Sequence, residues 1–298
     1  MKEQNKTRRR LVKALGVAAV SVPFWTLYGC GSGSSDSSTS ASSDSDSSSD
    51  TDTDSGSDDT DTSSDLDFSY DWATGGTAAM TANFPDDSLF ETSSTCTVAL
   101  TGALTQGPCY FTGQTLQDIS EDREGLPMQL CLRVIDSNCD PVESLEIQVW
   151  HCDVDGIYSG DTSDAEDGGE DFNTSFCTDN ESAALASQWF RGYQVTDSNG
   201  RVNFASCFPG WYSSRTIHIH FKIISNGSEE LISQFCFPDA LTANICTTQS
   251  DYSDRGIQDT TLASGSDTVY GSDYEDYLFD WEQNSDGSIL VYKTIQLS

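Results

Sequence analysis

The stretch Arg215-Thr-Ile-His218-Ile-His220-Phe-Lys-Ile223 alternates apolar and polar side chains and predicts a β-strand. Successive side chains on a strand point to opposite faces, so His218 and His220 point the same way and their imidazoles can converge on one point. The chain contains three histidines in all. Two of them at this spacing make the strand a candidate metal site.

Spacing alone leaves a second interpretation open, in which the two histidines face solvent on a half-exposed sheet. The surroundings favour a metal. Tyr212 follows a Pro-Gly-Trp motif just before the strand, and Tyr158 stands in a similar setting further upstream. Phenolate is a hard anionic oxygen donor, so two tyrosines with two histidines favour a hard, oxidised cation such as Fe(III) over Zn(II).

Short alternating runs recur along the body of the chain, at residues 130–135, 145–150, 202–207, 217–224 and 231–237. Turn signals separate these runs, and a C-terminal hairpin is predicted from residues 278–283 and 288–296. This pattern is typical of an all-β sandwich of mixed or antiparallel strands with long loops. Helix is scarce, and residues 181–189 are the best short candidate. Asp197-Ser-Asn-Gly200 predicts a hairpin turn, because Asn-Gly supplies positive φ angles.

Residues 1–30 resemble a lipoprotein export signal. Arg8-Arg9-Arg10 resembles a twin-arginine motif, and the apolar stretch at 14–27 is too short for a convincing membrane span. Leu27-Tyr-Gly-Cys30 resembles a lipobox, in which Cys30 would carry the lipid. We therefore expect an exported protein on the periplasmic or cell-surface side of the envelope, touching the membrane only through Cys30.

Residues 31–67 contain mostly serine, threonine, glycine and aspartate, a composition that predicts a disordered tether. The remaining residues, 68–298, form the predicted β-rich domain. Of the net charge of −34, residues 1–30 contribute +5 and the tether −11, which leaves −28 for the domain. A field this negative argues against nucleic acid or an anionic lipid surface as a partner, and mildly favours uncharged substrates.

Nine cysteines follow Cys30, at positions 96, 109, 131, 139, 152, 177, 207, 236 and 246. In an exported protein they predict a disulfide framework, which we expect to contain three or four bridges and at least one free thiol. The absence of any Cys-x-x-Cys pair in the sequence argues against a zinc cluster.

Longer motifs carry a family resemblance. They are Trp150-His-Cys-Asp followed by Gly156-Ile-Tyr158-Ser-Gly, then Phe190-Arg-Gly-Tyr-Gln-Val-Thr-Asp, and then Pro209-Gly-Trp-Tyr212-Ser-Ser-Arg215-Thr-Ile-His218-Ile-His220. Together with Gly107-Pro-Cys-Tyr110 they resemble, in order over residues 72–237, the intradiol ring-cleavage dioxygenases. The chain is most similar to their exported, single-domain bacterial branch.

The resemblance implies an enzyme with one non-haem Fe(III) per chain, held by Tyr158, Tyr212, His218 and His220. It implies that a catechol-type substrate reacts with O2 to give a cis,cis-muconate-type diacid, without an organic cofactor. Arg215 would lie over the ring and stabilise developing negative charge, and Gln234 would sit just behind the ligands.

Other residues have competing interpretations. Tyr110 and Trp211 either line the substrate pocket or pack in the core. His151 is predicted to be packed or hydrogen-bonded rather than a further ligand. A different class of function is an inactive surface lipoprotein that uses the sandwich as a binding module, with the acidic insertion at 161–187 serving a partner. A copper-dependent polysaccharide oxidase is a third, although it would need an N-terminal histidine that lipidation of Cys30 precludes.

Overall fold

The computed structural model describes residues 70–90, 99–166 and 169–298. The predicted signal peptide, the lipidated Cys30 and the tether lie outside these residues. Within the described ranges, no helix is long and apolar enough to cross a membrane.

Two four-stranded sheets account for most of the regular structure in the described residues. In chain order the strands are β1 Pro127–Ile135, β2 Glu146–Trp150, β3 Arg191–Val195, β4 Arg201–Cys207, β5 His218–Ser225, β6 Ser228–Cys236, β7 Asp280–Gln283 and β8 Ile289–Gln296. One sheet has the order β4-β1-β8-β7 and the other β3-β2-β5-β6. All neighbours pair antiparallel except β1 and β8, which are parallel. The predicted all-β sandwich with mixed pairing is confirmed.

The strand β5 shows how the core orients the histidines. Ile219, Phe221 and Ile223 are at most 2% exposed and join the main hydrophobic cluster. Phe221 stacks on Phe235 of the neighbouring strand β6, with ring centroids 4.7 Å apart. A slip of one residue would exchange this apolar row for the polar one, so core packing fixes the face on which the histidines lie.

The turn at Asp197–Gly200 forms, but it does not make a hairpin. Gly200 has a φ of 73°, and its N–H donates to the Asp197 carbonyl at 2.9 Å. The strands that it joins belong to different sheets, because β3 pairs with β2 whereas β4 pairs with β1. The hairpin prediction is therefore wrong in its pairing: the turn carries the chain from one sheet to the other.

Helix is scarce, as expected, but it lies elsewhere than predicted. The α-helices of the described residues are α1 Thr174–Thr178, α2 Asp239–Thr248 and α3 Ser250–Ser253. Residues 181–189 form only a 3-10 turn, at Ala184–Ala186. The chain enters this segment through Asn180 in a left-handed conformation and leaves it by burying Trp189 and Phe190. Tertiary packing overrides the helix propensity of the alanines.

The expected framework of three or four disulfides is wrong. Five of the nine cysteines after Cys30 are free and buried, namely Cys131, Cys152, Cys207, Cys236 and Cys246. Four cysteines then remain, which can form at most two bridges. One of these joins Cys109 to Cys177, and Cys139 is also disulfide-bonded. The free thiols sit in the packed interior, where cysteine behaves as a small apolar residue.

Candidate active site

The two histidines of β5 meet on the face of the strand opposite the core. Their Nε2 atoms lie 3.1 Å apart, and each residue is 3% exposed. The Trp150 ring of the adjacent strand β2 stacks on the His220 ring at 4.9 Å and fixes its plane. On the other side, the Nδ1 atom of His218 is 2.6 Å from the Thr216 carbonyl oxygen. That nitrogen therefore carries the proton, which leaves the lone pair on Nε2, facing His220.

Two interlocked loops bring the two tyrosines to the histidines. Tyr158 lies in the loop after β2, and Tyr212 lies in the loop between β4 and β5. A side chain on Gly156 would come within 2.2 Å of the Trp211 carbonyl oxygen, and one on Gly210 equally close to the Val154 carbonyl oxygen. Glycine at both positions is thus what lets the loops approach each other closely.

The hydroxyl of Tyr212 lies 3.0 Å from His218 Nε2. The ring of Tyr158 contacts both Tyr212 and His220, with centroid distances of 5.9 and 6.3 Å. Tyr158 is fully buried, yet its hydroxyl has no hydrogen-bond partner among the described residues. An unpaired buried hydroxyl is costly, and at this position it fits a role as a metal ligand. The structure thus brings together all four residues that the sequence suggested as ligands.

The donor set fits a metal ion. Two nitrogens bound about 2.1 Å from one ion at right angles lie about 3 Å apart, close to the separation of the two histidine Nε2 atoms. Burial, reinforced by the charge of Arg215, lowers the pKa of His218 and His220 well below the ordinary value and keeps both neutral. Among the described residues no group of three or more His, Cys, Asp or Glu side chains forms a metal site. A metal ion bound beside the two histidines would therefore draw on the phenol oxygens of Tyr158 and Tyr212.

When no cation is bound, both tyrosine side chains would be protonated phenols. Burial raises the pKa of Tyr212 to about 12 and that of Tyr158 well above its usual range, where the proximity of Tyr212 adds to the effect. A bound multivalent cation reverses this preference, because its charge stabilises phenolate. The site is therefore suited to a strongly charged ion and poorly suited to remaining empty.

Arg215 and Gln234 lie beside the four donors. The guanidinium of Arg215 donates from Nη2 to Gln234 Oε1 at 2.6 Å, and Gln234 pairs directly across from His220 in the β5–β6 ladder. The Nε atom of Arg215 donates to the carboxylate of Asp267. The sequence analysis did not identify Asp267, because nothing in its local pattern separates it from the other acidic residues of the chain.

The structure does not bring Tyr110 to the donor atoms. Its hydroxyl donates to Gln148 Oε1 at 2.7 Å, and its ring packs edge-on against Trp150, which separates it from His220. Trp211 is partly exposed, and its indole N–H donates to the Gly256 carbonyl oxygen at 3.0 Å. Both contacts favour the packing interpretation of these two aromatic residues.

His151 is packed, as predicted. One ring nitrogen is 2.8 Å from the Cys152 carbonyl oxygen, and the other is 2.8 Å from the Ser206 hydroxyl. Its ring stacks on Phe190, and burial lowers its pKa to about 4. With both nitrogens engaged, this histidine is not a ligand.

The acidic insertion contributes a wall of the site. The backbone carbonyl of Cys177 in α1 accepts the N–H of Tyr158 at 2.8 Å. The neighbouring Phe176 is 58% exposed and packs edge-on against the Tyr212 ring, with centroids 6.1 Å apart. The disulfide from Cys177 to Cys109 ties this helix to the segment 107–110, in which Gly107 packs on the His220 ring.

Comparisons with known proteins show the family of this chain. The family model described as Dioxygenase matches residues 105–280. An intradiol ring-cleavage dioxygenase from Tetranychus urticae is 24% identical, with a TM-score of 0.55, and the match covers 67% of this chain and 95% of that one. Another crystallised dioxygenase is 25% identical, with a TM-score of 0.54 and coverages of 67% and 94%.

The 3-chlorocatechol 1,2-dioxygenase from Rhodococcus opacus 1CP is more distant, at 18% identity and a TM-score of 0.46, with 66% of this chain and 72% of that one covered. No protein of curated function matches the chain. The family match extends over more than half of the chain and contains every residue of the site described above. The chain belongs to the intradiol ring-cleavage dioxygenase family.

Proposed function

We propose that the protein cleaves the ring of a catechol-type substrate between its two hydroxylated carbons, using a single ferric ion held by Tyr158, Tyr212, His218 and His220. Both atoms of O2 enter the product, a cis,cis-muconate-type diacid. The ring supplies the electrons that reduce O2, so the reaction balances without an external reductant.

The observation that carries this proposal is the convergence of the donor atoms. Tyr212 Oη and His220 Nε2 both lie within 3.1 Å of His218 Nε2, and the unpaired hydroxyl of Tyr158 borders the same group. When bound, ferric iron would supply the Lewis acidity that activates a chelated catechol. Two phenolate ligands suit the oxidised ion, because they are hard anionic donors.

The chain's own residues supply proton transfer and charge stabilisation. A catechol loses two protons when it binds as a dianion. Tyr212 Oη can take up one of them, since burial makes the protonated form of this residue the more stable one, and the other proton passes to solvent. Arg215, 8% exposed and fixed by two partners, provides a permanent positive charge next to the donors. That charge would stabilise negative charge that develops on the ring during attack by O2.

The electrostatics favour an uncharged substrate. The carboxylate of Asp267 already compensates Arg215, and the domain as a whole carries a charge of −28. A catechol with an additional carboxylate would meet the repulsion of this overall negative charge. We therefore place neutral catechols first among the substrates.

Product analysis tests the proposal. The iron-loaded full-length chain is incubated with catechol under ¹⁸O2, and the products are separated by mass spectrometry. We expect a muconate-type diacid that carries both labelled oxygen atoms. An aldehyde-bearing product from cleavage outside the diol, or an uncleaved quinone, would contradict the proposed reaction. The variant Tyr110→Phe is the control, since its hydroxyl lies away from the donors.

A further inference from the structure

Asp267 is a buried carboxylate that reaches the active site from a distant part of the chain. It lies in the long connection between α3 and β7, and its side chain is 1% exposed. One oxygen, Oδ1, accepts the backbone N–H groups of Val269 and Tyr270 at 2.8 and 3.0 Å. These bonds fix the carboxylate within its own loop and direct the other oxygen toward the segment that precedes β5.

Two side chains hold the guanidinium of Arg215. Its Nε donates to Asp267 Oδ2 at 3.1 Å, and its Nη2 donates to Gln234 Oε1 at 2.6 Å. The guanidinium carbon also lies 5.6 Å from the centre of the Tyr270 ring. Because the guanidinium is planar and rigid, hydrogen bonds at two of its nitrogens also fix the direction of the third nitrogen. Nη1 has no hydrogen bond to any described residue and is available to a substrate.

The same carboxylate also reaches the histidines through the backbone. Asp267 Oδ2 accepts the Thr216 N–H at 2.7 Å, and the Thr216 carbonyl oxygen lies 2.6 Å from His218 Nδ1. The peptide that sets the tautomer of His218 is thus itself held by Asp267. Partners of this kind orient metal-binding histidines, and their loss commonly weakens metal sites.

We propose that Asp267 is a positioning residue of the active site, which anchors Arg215 for its role beside the bound ring and steadies the Thr216 peptide behind His218. This inference rests on the proposed function, because Arg215 acts there on a catechol. Asp267 touches neither the substrate nor the donor atoms and acts only through its neighbours.

A carboxylate is needed at this position for two reasons. Arg215 has a side chain that is only 10% exposed, and a buried cation without a counter-charge is strongly destabilising. All four hydrogen-bonding partners of Asp267 are donors. If asparagine replaced it, the NH2 group of the amide would face N–H donors to which it cannot bond. Asp267→Asn therefore removes the charge and breaks at least one hydrogen bond without changing the size of the side chain.

The chain offers a matched control. Asp153 is also a buried aspartate that pairs with an arginine, Arg123, and accepts backbone N–H groups, those of Asp155 and Ile157. It does not contact the four donors. Asp153→Asn therefore reproduces the structural cost of losing such a carboxylate without disturbing Arg215.

The test is a double-mutant cycle on the iron-loaded full-length chain. We expect Asp267→Asn to lower kcat/KM for catechol about 10- to 100-fold, as the loss of supporting partners does at other metal sites. In an Arg215→Met background most of that loss should disappear, because two residues that act together are not additive. Asp153→Asn should have the same effect in both backgrounds, because its carboxylate supports the loop that carries Tyr158 and does not contact Arg215. An Asp267→Asn loss that is equal in both backgrounds would overturn the proposal.

A second measurement does not depend on catalysis. In the metal-free wild-type protein, ¹⁵N NMR follows hydrogen exchange at the Arg215 Nε–H, which is assigned by its disappearance in Arg215→Met. We expect strong protection, whereas exchange as rapid as that of free arginine would overturn the anchoring role. A wild-type protein that cleaves no catechol would refute the proposed function instead, so the two failures are distinguishable.

Discussion

At the residue scale, Tyr158 is the side chain whose environment depends most on a metal. Its ring is fully buried, but its hydroxyl lacks a hydrogen-bond partner among the described residues. Such a group costs about 1–3 kcal/mol relative to a satisfied one. The unpaired hydroxyl therefore destabilises the metal-free protein, and a bound cation would supply the partner that it lacks.

Tyr158→Phe should separate metal binding from stability. Without iron, we expect the variant to be at least as stable as the wild type, because it removes an unsatisfied hydroxyl. With ferric iron, it should lose most of the stabilisation that the ion gives the wild type, together with part of the visible absorption. Chemical denaturation with and without iron measures both effects.

The matched variant for this experiment is Tyr252→Phe. Tyr252 is equally buried, but its hydroxyl donates to the Phe208 carbonyl oxygen. The same hydroxyl accepts the Leu126 N–H, so its loss should cost about 1–3 kcal/mol and leave the iron-dependent stabilisation intact. If Tyr158→Phe behaved like Tyr252→Phe, Tyr158 would not be a ligand.

The buried carboxyl group of Asp153 should make the stability of the protein depend on pH. Burial raises its pKa to about 6, against the opposing effects of Arg123 and the Ile157 N–H. Between the unfolded value of about 3.8 and the folded value, the native state binds the proton more tightly than the unfolded chain. The contribution of this group to stability is therefore greatest at low pH and falls by about 3 kcal/mol as the pH rises through this window.

Denaturation curves at several pH values test whether the contribution of Asp153 to stability falls as the pH rises. The difference in unfolding free energy between the wild type and Asp153→Asn should fall between pH 4 and 6 and stay constant above pH 7, because the variant lacks the titrating group. A difference that rises with pH across the same window would mean that the Arg123 ion pair outweighs burial and that the pKa is lowered.

At the scale of elements, the disulfide between Cys109 and Cys177 is the link that holds the outer wall of the site. The bridge closes a loop with a sequence separation of 68 residues, and its Cys177 end also accepts the Tyr158 N–H. A loop of this length restricts the unfolded chain by about 4 kcal/mol.

Replacing both of these cysteines by serine should therefore lower the unfolding free energy by about 4 kcal/mol and weaken iron binding, because α1 then loses its anchor. Calorimetry and iron titration check the two effects. Cys246→Ser is the control, as it changes a buried free thiol in a different helix, α2. Unchanged iron affinity in the double variant would mean that the bridge stabilises the fold without supporting the site.

The elements also show what the sequence could and could not predict. The strand β5 was predictable because its two faces differ in polarity along its length. The strand β3 was not recognised as a strand, since Arg191-Gly-Tyr-Gln-Val has no clear alternation. The helix α2 was missed because threonine and asparagine have modest helix propensity, and only the burial of residues such as Leu241 and Ile245 stabilises it.

The residues of the site were likewise only partly predictable from the sequence. Its donors lie in short motifs with fixed spacing, so the family resemblance identified them as candidates. Asp267 lies 52 residues from Arg215 along the chain, and only the fold brings the two together. The predicted number of disulfides was wrong for a related reason. A count of cysteines does not show which of them the folded core keeps apart.

At the scale of the whole molecule, we propose that the enzyme works outside the cytoplasm, attached through Cys30. That prediction rests on the sequence of residues 1–67, which lie outside the described part of the chain. Replacing Arg8, Arg9 and Arg10 by lysine should leave the protein in the cytoplasm, because twin-arginine recognition requires the arginine pair. Cell fractionation measures this, and Cys30→Ser serves as the comparison, since it should permit export but prevent lipid attachment. Export of the lysine variant at the wild-type rate would contradict this route.

The central claim is that Tyr158, Tyr212, His218 and His220 hold ferric iron to which a catechol binds directly. The most direct measurement is the visible absorption spectrum of the iron-loaded full-length chain, before and after anaerobic addition of catechol. We predict a red-brown tyrosinate-to-iron charge-transfer band that broadens and shifts when catechol is added. A protein that stays colourless after iron loading would contradict the claim.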